Sequence, residues 1–195
     1  SEAETAEGAE VFEWLKQKYT TEANRNPDKF KILYDVSQEE GRYDPNFALL
    51  ADILKKDKND RKGNCEARAK FMDCMVAAIY PDAERKFQWF NGDPKLDKAP
   101  HVRLIMKING SWYALEGLPQ KLSDEDLVGT TLTDTDIFMK TYLEKEDGAD
   151  QKNETDITEK SLSGGSVLSN SFFNVKFEKP PTKIFAGSDA EETPK

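Results

Sequence analysis

One cysteine, one histidine and one acid stand out in this chain, because together they are the minimum parts of a cysteine-nucleophile site. Cys65 lies in Gly63-Asn64-Cys65-Glu66-Ala67-Arg68-Ala69, a glycine-bearing turn that runs straight into an apolar helical pattern. His101, the only histidine, opens a strand-like segment, and Glu116 closes the next one. A thiol becomes an effective nucleophile beside a base, and an imidazole becomes an effective base when a third group orients it. A helix start works in the same direction, since its aligned peptide dipoles favour a thiolate. Lys55, Lys56, Lys58, Arg61, Lys62 and Arg68 make the neighbourhood positive, although each of them singly reads as a solvated loop charge. The three candidates also have plainer readings: Cys65 as a small buried hydrophobe, His101 as a structural residue, and Glu116 as the cross-strand partner of Arg103. Their joint arrangement is what favours a site.

Holding these residues together takes a helix and two strands. Cys65, Ala69, Met72, Val76 and Ile79 recur at a spacing that lines one helical face, which predicts a helix over 65–79 ended by Tyr80-Pro81. Strands are predicted over 85–90, 102–108 and 112–115. Asn109-Gly110 between the last two signals a tight hairpin, because both central residues of that turn need positive φ. As a two-residue loop it sets Ile108 opposite Ser111 and, counting outward, Arg103 opposite Glu116. His101 then shares a sheet face with Glu116 as a diagonal neighbour, about 7–8 Å away at Cα, whereas a slip of one residue separates them. That face also carries Ile105, Lys107, Trp112 and Ala114, and the opposite one, with Val102, Leu104, Met106 and Ile108, is the greasier. A cysteine helix lying on the catalytic face would rest on Ile105, Trp112 and Ala114. The N-terminal helices or the last strand would then cover the other side.

The rest of the chain reads as one domain over 9–185, between a disordered N-terminus at 1–8 and an acidic tail at 186–195. Val11, Phe12, Leu15 and Tyr19 predict a helix over 9–24, broken by Asn26-Pro27. A second helix is expected after Asp44-Pro45, carrying Phe47, Leu50 and Leu54, followed by a charged loop over 55–62. Ser123 to Asp126 resembles a helix start with a capping acid. A short helix is predicted over 134–143, a polar loop over 144–170, and a last strand through Phe172, Phe173, Val175 and Phe177.

Bulk properties narrow the field. With 195 residues, a net charge of -9 and a pI near 4.8, the chain can bury a core but lacks the basic surface that nucleic acid requires. No apolar run approaches the roughly 20 residues of a membrane span, and no signal-peptide core is visible. A chain starting at Ser1 fits a processed or truncated product, which favours an exported or cell-envelope location. Cys65 and Cys74 lie about 13 Å apart along a helix at roughly 1.5 Å per residue, too far for a disulfide. One histidine and two cysteines make a zinc site improbable, the acids at 93, 97, 134 and 136 lack calcium-loop spacing, and no cofactor is expected. A monomer acting on a protein or peptide is the expected form.

Gly63-Asn64-Cys65-Glu66 leading to Ala69, then His101-Val102, then Asn109-Gly110-Ser111-Trp112-Tyr113-Ala114-Leu115-Glu116, resembles the core of the transglutaminase-like superfamily of the papain-like fold. The resemblance covers roughly residues 60–118, under a third of the chain. It implies an α+β fold with the cysteine helix packed on an antiparallel sheet, and a Cys65–His101–Glu116 triad. It also implies Asn64, Arg103 and Trp112 at the substrate. The implied reaction is acyl transfer from a peptide or amide bond through a thioester, with hydrolysis favoured over cross-linking. Two features depart from the family pattern: Glu116 stands where aspartate is usual, and Arg103 where an aromatic residue is common. No side chain for an oxyanion hole is identifiable beyond the backbone amide of Cys65. A non-catalytic module of the same fold, binding a protein or envelope partner, is the alternative. An acidic interaction domain with an accidental likeness is the third reading.

Overall fold

The computed structural model describes residues 2–90, 92, 94–96 and 100–134. Helices α1 (Glu2–Arg25), α2 (Lys29–Ser37), α3 (Leu50–Ile53) and α4 (Cys65–Ile79) gather on one side of an antiparallel sheet. That sheet has the strand order β6-β5-β4-β3-β7, formed by β3 (Arg85–Phe90), β4 (His101–Ile108), β5 (Ser111–Ala114), β6 (Gln120–Lys121) and β7 (Thr131–Asp134). Two further short strands, β1 (Arg42–Tyr43) and β2 (Lys62–Gly63), pair in parallel. The fold is α+β, as the sequence implies.

Helix α4 is the organising element. It occupies the predicted span, and the Asn64 side chain caps it by accepting from the Ala67 amide at 3.1 Å. Its stripe of Ala69, Met72, Val76 and Ile79 joins Val102, Leu104, Met106 and Ile108 of β4 in the main core, which α1, α2 and α3 extend with Phe12, Leu15, Leu33, Val36 and Ile53. The helix therefore lies on the greasier face of β4, not on the face that carries Ile105. That choice buries four large apolar side chains of β4 rather than one. The other face has a smaller core of its own, in which Ile105, Trp112 and Ala114 meet Leu122, Leu127 and Leu132 from the segment after the hairpin.

The hairpin register is the expected one over 105–108, where the ladder ends short of the expected Arg103–Glu116 pair. Ile108 pairs with Ser111, Lys107 with Trp112, Met106 with Tyr113 and Ile105 with Ala114. Asn109 and Gly110 adopt φ of 52° and 82°, as the tight turn demands. Strand β3 has the predicted bounds and pairs with β4 along its length, Phe90 reaching His101.

Several expectations need correction. Residues 2–8, expected to be disordered, are the start of α1; their run of alanine and glutamate favours helix, and Glu7 accepts a hydrogen bond from the Lys56 amide at 2.9 Å. The sequence reading missed α2. Its Asp28 cap accepts from the Phe30 and Lys31 amides, and it buries Ile32, Leu33 and Val36. The helix expected after Pro45 shrinks to the single turn of α3. Ser123 and Asp126 exchange capping hydrogen bonds of 2.8 and 3.4 Å, yet a turn follows instead of a helix. Asp134 closes β7 rather than opening a helix. Residues 135–143, the polar loop, the last predicted strand and the tail lie outside the described residues. Among the described residues, no helix is long and apolar enough to cross a membrane.

The basic loop of 55–62 serves packing more than any field at Cys65. Lys58 and Arg61 approach the buried Glu39 at 3.6 and 3.3 Å, Lys18 adds a contact at 3.2 Å, and Lys56 pairs with Glu10 at 3.0 Å. Burial works to raise the Glu39 carboxyl, but the Tyr19 hydroxyl, Lys18 and Lys58 hold it below the usual range. Of the six basic residues, Arg68 alone lines the cavity at Cys65.

Gly41 connects that cluster to the site. Its φ is +75°, and a Cβ there would lie 2.1 Å from the Arg61 carbonyl oxygen, inside the backbone that receives the Arg42 amide at 3.1 Å. Gly41→Ala is therefore expected to destabilise the fold by about 2–4 kcal/mol through strain and steric overlap, read as a lower urea midpoint. An unchanged midpoint would show that β1 tolerates displacement.

Candidate active site

Cys65 is the first residue of α4, half-buried and free of any disulfide. Parallel pairing sets Tyr43 beside Gly63, so the 40–43 segment runs alongside the cysteine turn. His101 begins β4. The ladder between β4 and β5 covers only 105–108 on β4, which leaves the edge at 101–104 facing residues 115–117. A cavity of about 330 Å³ opens there, lined by Val102 and Leu104 from one face of β4 and by His101 and Arg103 from the other. Cys65, Arg68 and Ala69 of α4 form the opposite wall, with Glu116 beside His101.

The imidazole is the hub. Its Nε2 lies 2.5 Å from Glu116 Oε1, and Cys65 lines the same cavity. With Nε2 on the carboxylate, Nδ1 is the nitrogen left for the thiol. Cys65 first and Glu116 second push the imidazole up to about 9, against the opposing effect of burial. The imidazolium is thus favoured at neutral pH, flanked by two groups that carry or can take negative charge. Burial raises the Glu116 carboxyl, but the His101 hydrogen bond and charge, joined by Arg103, bring it below the usual range.

A second layer fixes the acid. Arg103 Nη1 donates to Glu116 Oε2 at 3.4 Å while its Nε donates to Gln88 Oε1 at 2.8 Å. Gln88, fully buried, in turn donates to the Asp126 carbonyl at 2.8 Å and the Thr130 hydroxyl at 3.2 Å. The Phe90 ring stands 5.9 Å from the imidazole and under the Arg103 guanidinium. The catalytic reading of Glu116 and its plainer reading as the partner of Arg103 therefore hold together: one carboxylate oxygen serves each.

Of the six expected site residues, Cys65, His101, Glu116 and Arg103 come together in the cavity. Two do not. The Asn64 side chain is committed to capping α4, and Trp112, with no exposed surface, belongs to the smaller core on the far face. The sequence reading missed Glu40 and Tyr43, which also line the cavity. The signal for Glu40 was faint: an acid pair and a glycine ending an apolar stripe. Among the described residues, no group of three or more His, Cys, Asp or Glu side chains is arranged to hold a metal ion. No family model matches the chain, and no curated protein or solved structure is found to be similar to it.

Proposed function

We propose that the protein is a thiol acyl-transfer enzyme of the transglutaminase-like kind, with a papain-like arrangement of α4 against β4. The observation that carries this reading is the His101 ring, bonded to Glu116 and set with Cys65 in one open cavity. In the reaction, the Cys65 sulfur attacks an amide carbonyl and the C–N bond breaks. The departing amine takes its proton from His101, and a thioester remains. Water, activated by the now neutral imidazole, hydrolyses the thioester to a carboxylic acid; an amine in its place gives a new amide. A protein or peptide is the proposed substrate, with hydrolysis the preferred outcome.

The test is the pH dependence of iodoacetamide labelling. Cys74 is an internal control, since burial pushes its thiol far up and its side chain is enclosed. Cys65 is expected to label rapidly well below pH 8, and His101→Ala to slow that labelling by about 10–100-fold. Slow labelling with an ordinary thiol titration, indifferent to the mutation, would sink the enzymatic reading and favour a non-catalytic binding module.

A further inference from the structure

We propose that Glu40 donates the side-chain hydrogen bond that receives the oxyanion when Cys65 attacks a carbonyl group. This rests on the acyl-transfer reading and supplies the one part of such a site that the sequence left without a residue. Attack on a carbonyl moves the π pair onto oxygen, and rate depends on donors already aimed at that oxygen. One donor is available at the start of α4, where the first backbone amides have no partner within the helix. A second must come from a side chain on the cavity wall.

Of the other polar groups there, Tyr43 is largely exposed and the rest are committed elsewhere. Arg103 is shared between Gln88 and Glu116, and Glu116 is bonded to His101. Arg68 gives its Nε to the Gly63 carbonyl at 3.2 Å and its Nη2 to the Gly41 carbonyl at 2.9 Å. Glu40 is only 4 % exposed yet lines the cavity with Cys65. Its backbone is fixed by the left-handed turn at Gly41 and by the Arg68 bond to that residue.

A carboxyl donates only when it holds its proton, and its surroundings keep it there. Glu40 is enclosed; its closest cation, Arg68 Nη1, stands 3.7 Å away, beyond hydrogen-bond length. The Glu116 carboxylate adds repulsion from the segment after β5, while His101 and Arg103 on β4 already balance that charge. Burial pushes the Glu40 carboxyl up to about 8; Arg68 opposes it, and Glu116 adds a smaller repulsion. At pH 7 it is therefore a neutral acid with an O–H to offer, the device by which a carboxylic acid serves an oxyanion site. In the step itself the Sγ–C bond forms, the oxygen accepts from Glu40, and collapse expels the leaving group. Glu40 keeps its proton throughout.

Two reagents separate this role from every other. Acylation by p-nitrophenyl acetate passes through an oxyanion: Sγ–C forms and the C–O bond to p-nitrophenolate breaks. Alkylation by iodoacetamide displaces iodide at a saturated carbon and forms none. Glu40→Met is expected to lower acylation of Cys65 by about 10²–10³-fold and to leave alkylation within about twofold, whereas Glu40→Gln, which retains an N–H donor, keeps most of the acylation. Equal losses in both reactions, no loss in either, or a Gln variant no better than Met would overturn the assignment. So would finding the selective loss in Tyr43→Phe instead. Should the Met variant not fold, the pH profile decides. The parent's ratio of acylation to alkylation falls as pH rises through about 8 and stays level in Glu40→Gln, and a level parent ratio refutes the role. A parent whose Cys65 is inert to iodoacetamide fails earlier, at the acyl-transfer reading itself.

Discussion

Glu116→Gln is expected to lower acylation of Cys65 by about 10³–10⁴-fold, the cost of holding an imidazole in the wrong tautomer. As a carboxylate, Glu116 accepts from Nε2 at 2.5 Å, which leaves Nδ1 free to take the thiol proton. An amide in the same place can turn its NH₂ toward Nε2, move the ring proton to Nδ1 and point a donor at the thiol. The ring then has nothing to accept with. Arg103 would survive the change, because its Nε bond to Gln88 at 2.8 Å does not involve residue 116. The plainer reading makes the opposite forecast: a carboxylate present only to pair Arg103 would leave chemistry untouched when neutralised. Arg103→Gln is the control, expected to cost about tenfold by loosening Glu116 without removing its charge. A loss under tenfold in Glu116→Gln would mean that the acid orients Arg103 and not the histidine.

The residues that define this geometry were legible because each rests on a local rule. The apolar stripe of α4 fixes that helix from 65 to 79, and Asn109-Gly110 fixes a turn whose length sets every pair above it. That register predicts His101 and Glu116 on one face; the ladder itself ends at Ile105 and Ala114, and the two side chains meet beyond it. What could not be read is what packs on each face. Ile105, Trp112 and Ala114 looked like a seat for the cysteine helix, but Leu122, Leu127 and Leu132 cover them. Those leucines sit among turns and strands of two to four residues, too short to show any periodicity. Trp112, which the resemblance implies at the substrate, is covered by the same leucines. Glu40 was hidden more deeply: it leads into β1, whose pairing with β2 is a long-range contact between strands of two residues each.

That burial has a thermodynamic consequence, and its sign is opposite to the usual one for an acid. Below its ordinary value near 4.5, Glu40 is protonated in folded and unfolded chains alike and costs nothing. As pH rises past that point the unfolded chain releases the proton and the folded one retains it, so the parent loses stability progressively until about pH 8 and no further beyond. Glu40→Gln keeps the shape and never titrates. It is expected to gain on the parent across that window and to level off at an advantage on the order of 3–5 kcal/mol, at about 1.4 kcal/mol for each tenfold step. Urea unfolding of both proteins at pH 4.5, 6.5 and 8.5 would show it. A difference that does not grow with pH would mean that Glu40 is ionised in the folded protein, paired with Arg68 across 3.7 Å. It would then hold no proton to donate, and the oxyanion role would fall with it. A difference that does grow identifies a cost in stability kept beside the nucleophile, which is where a working site tolerates one.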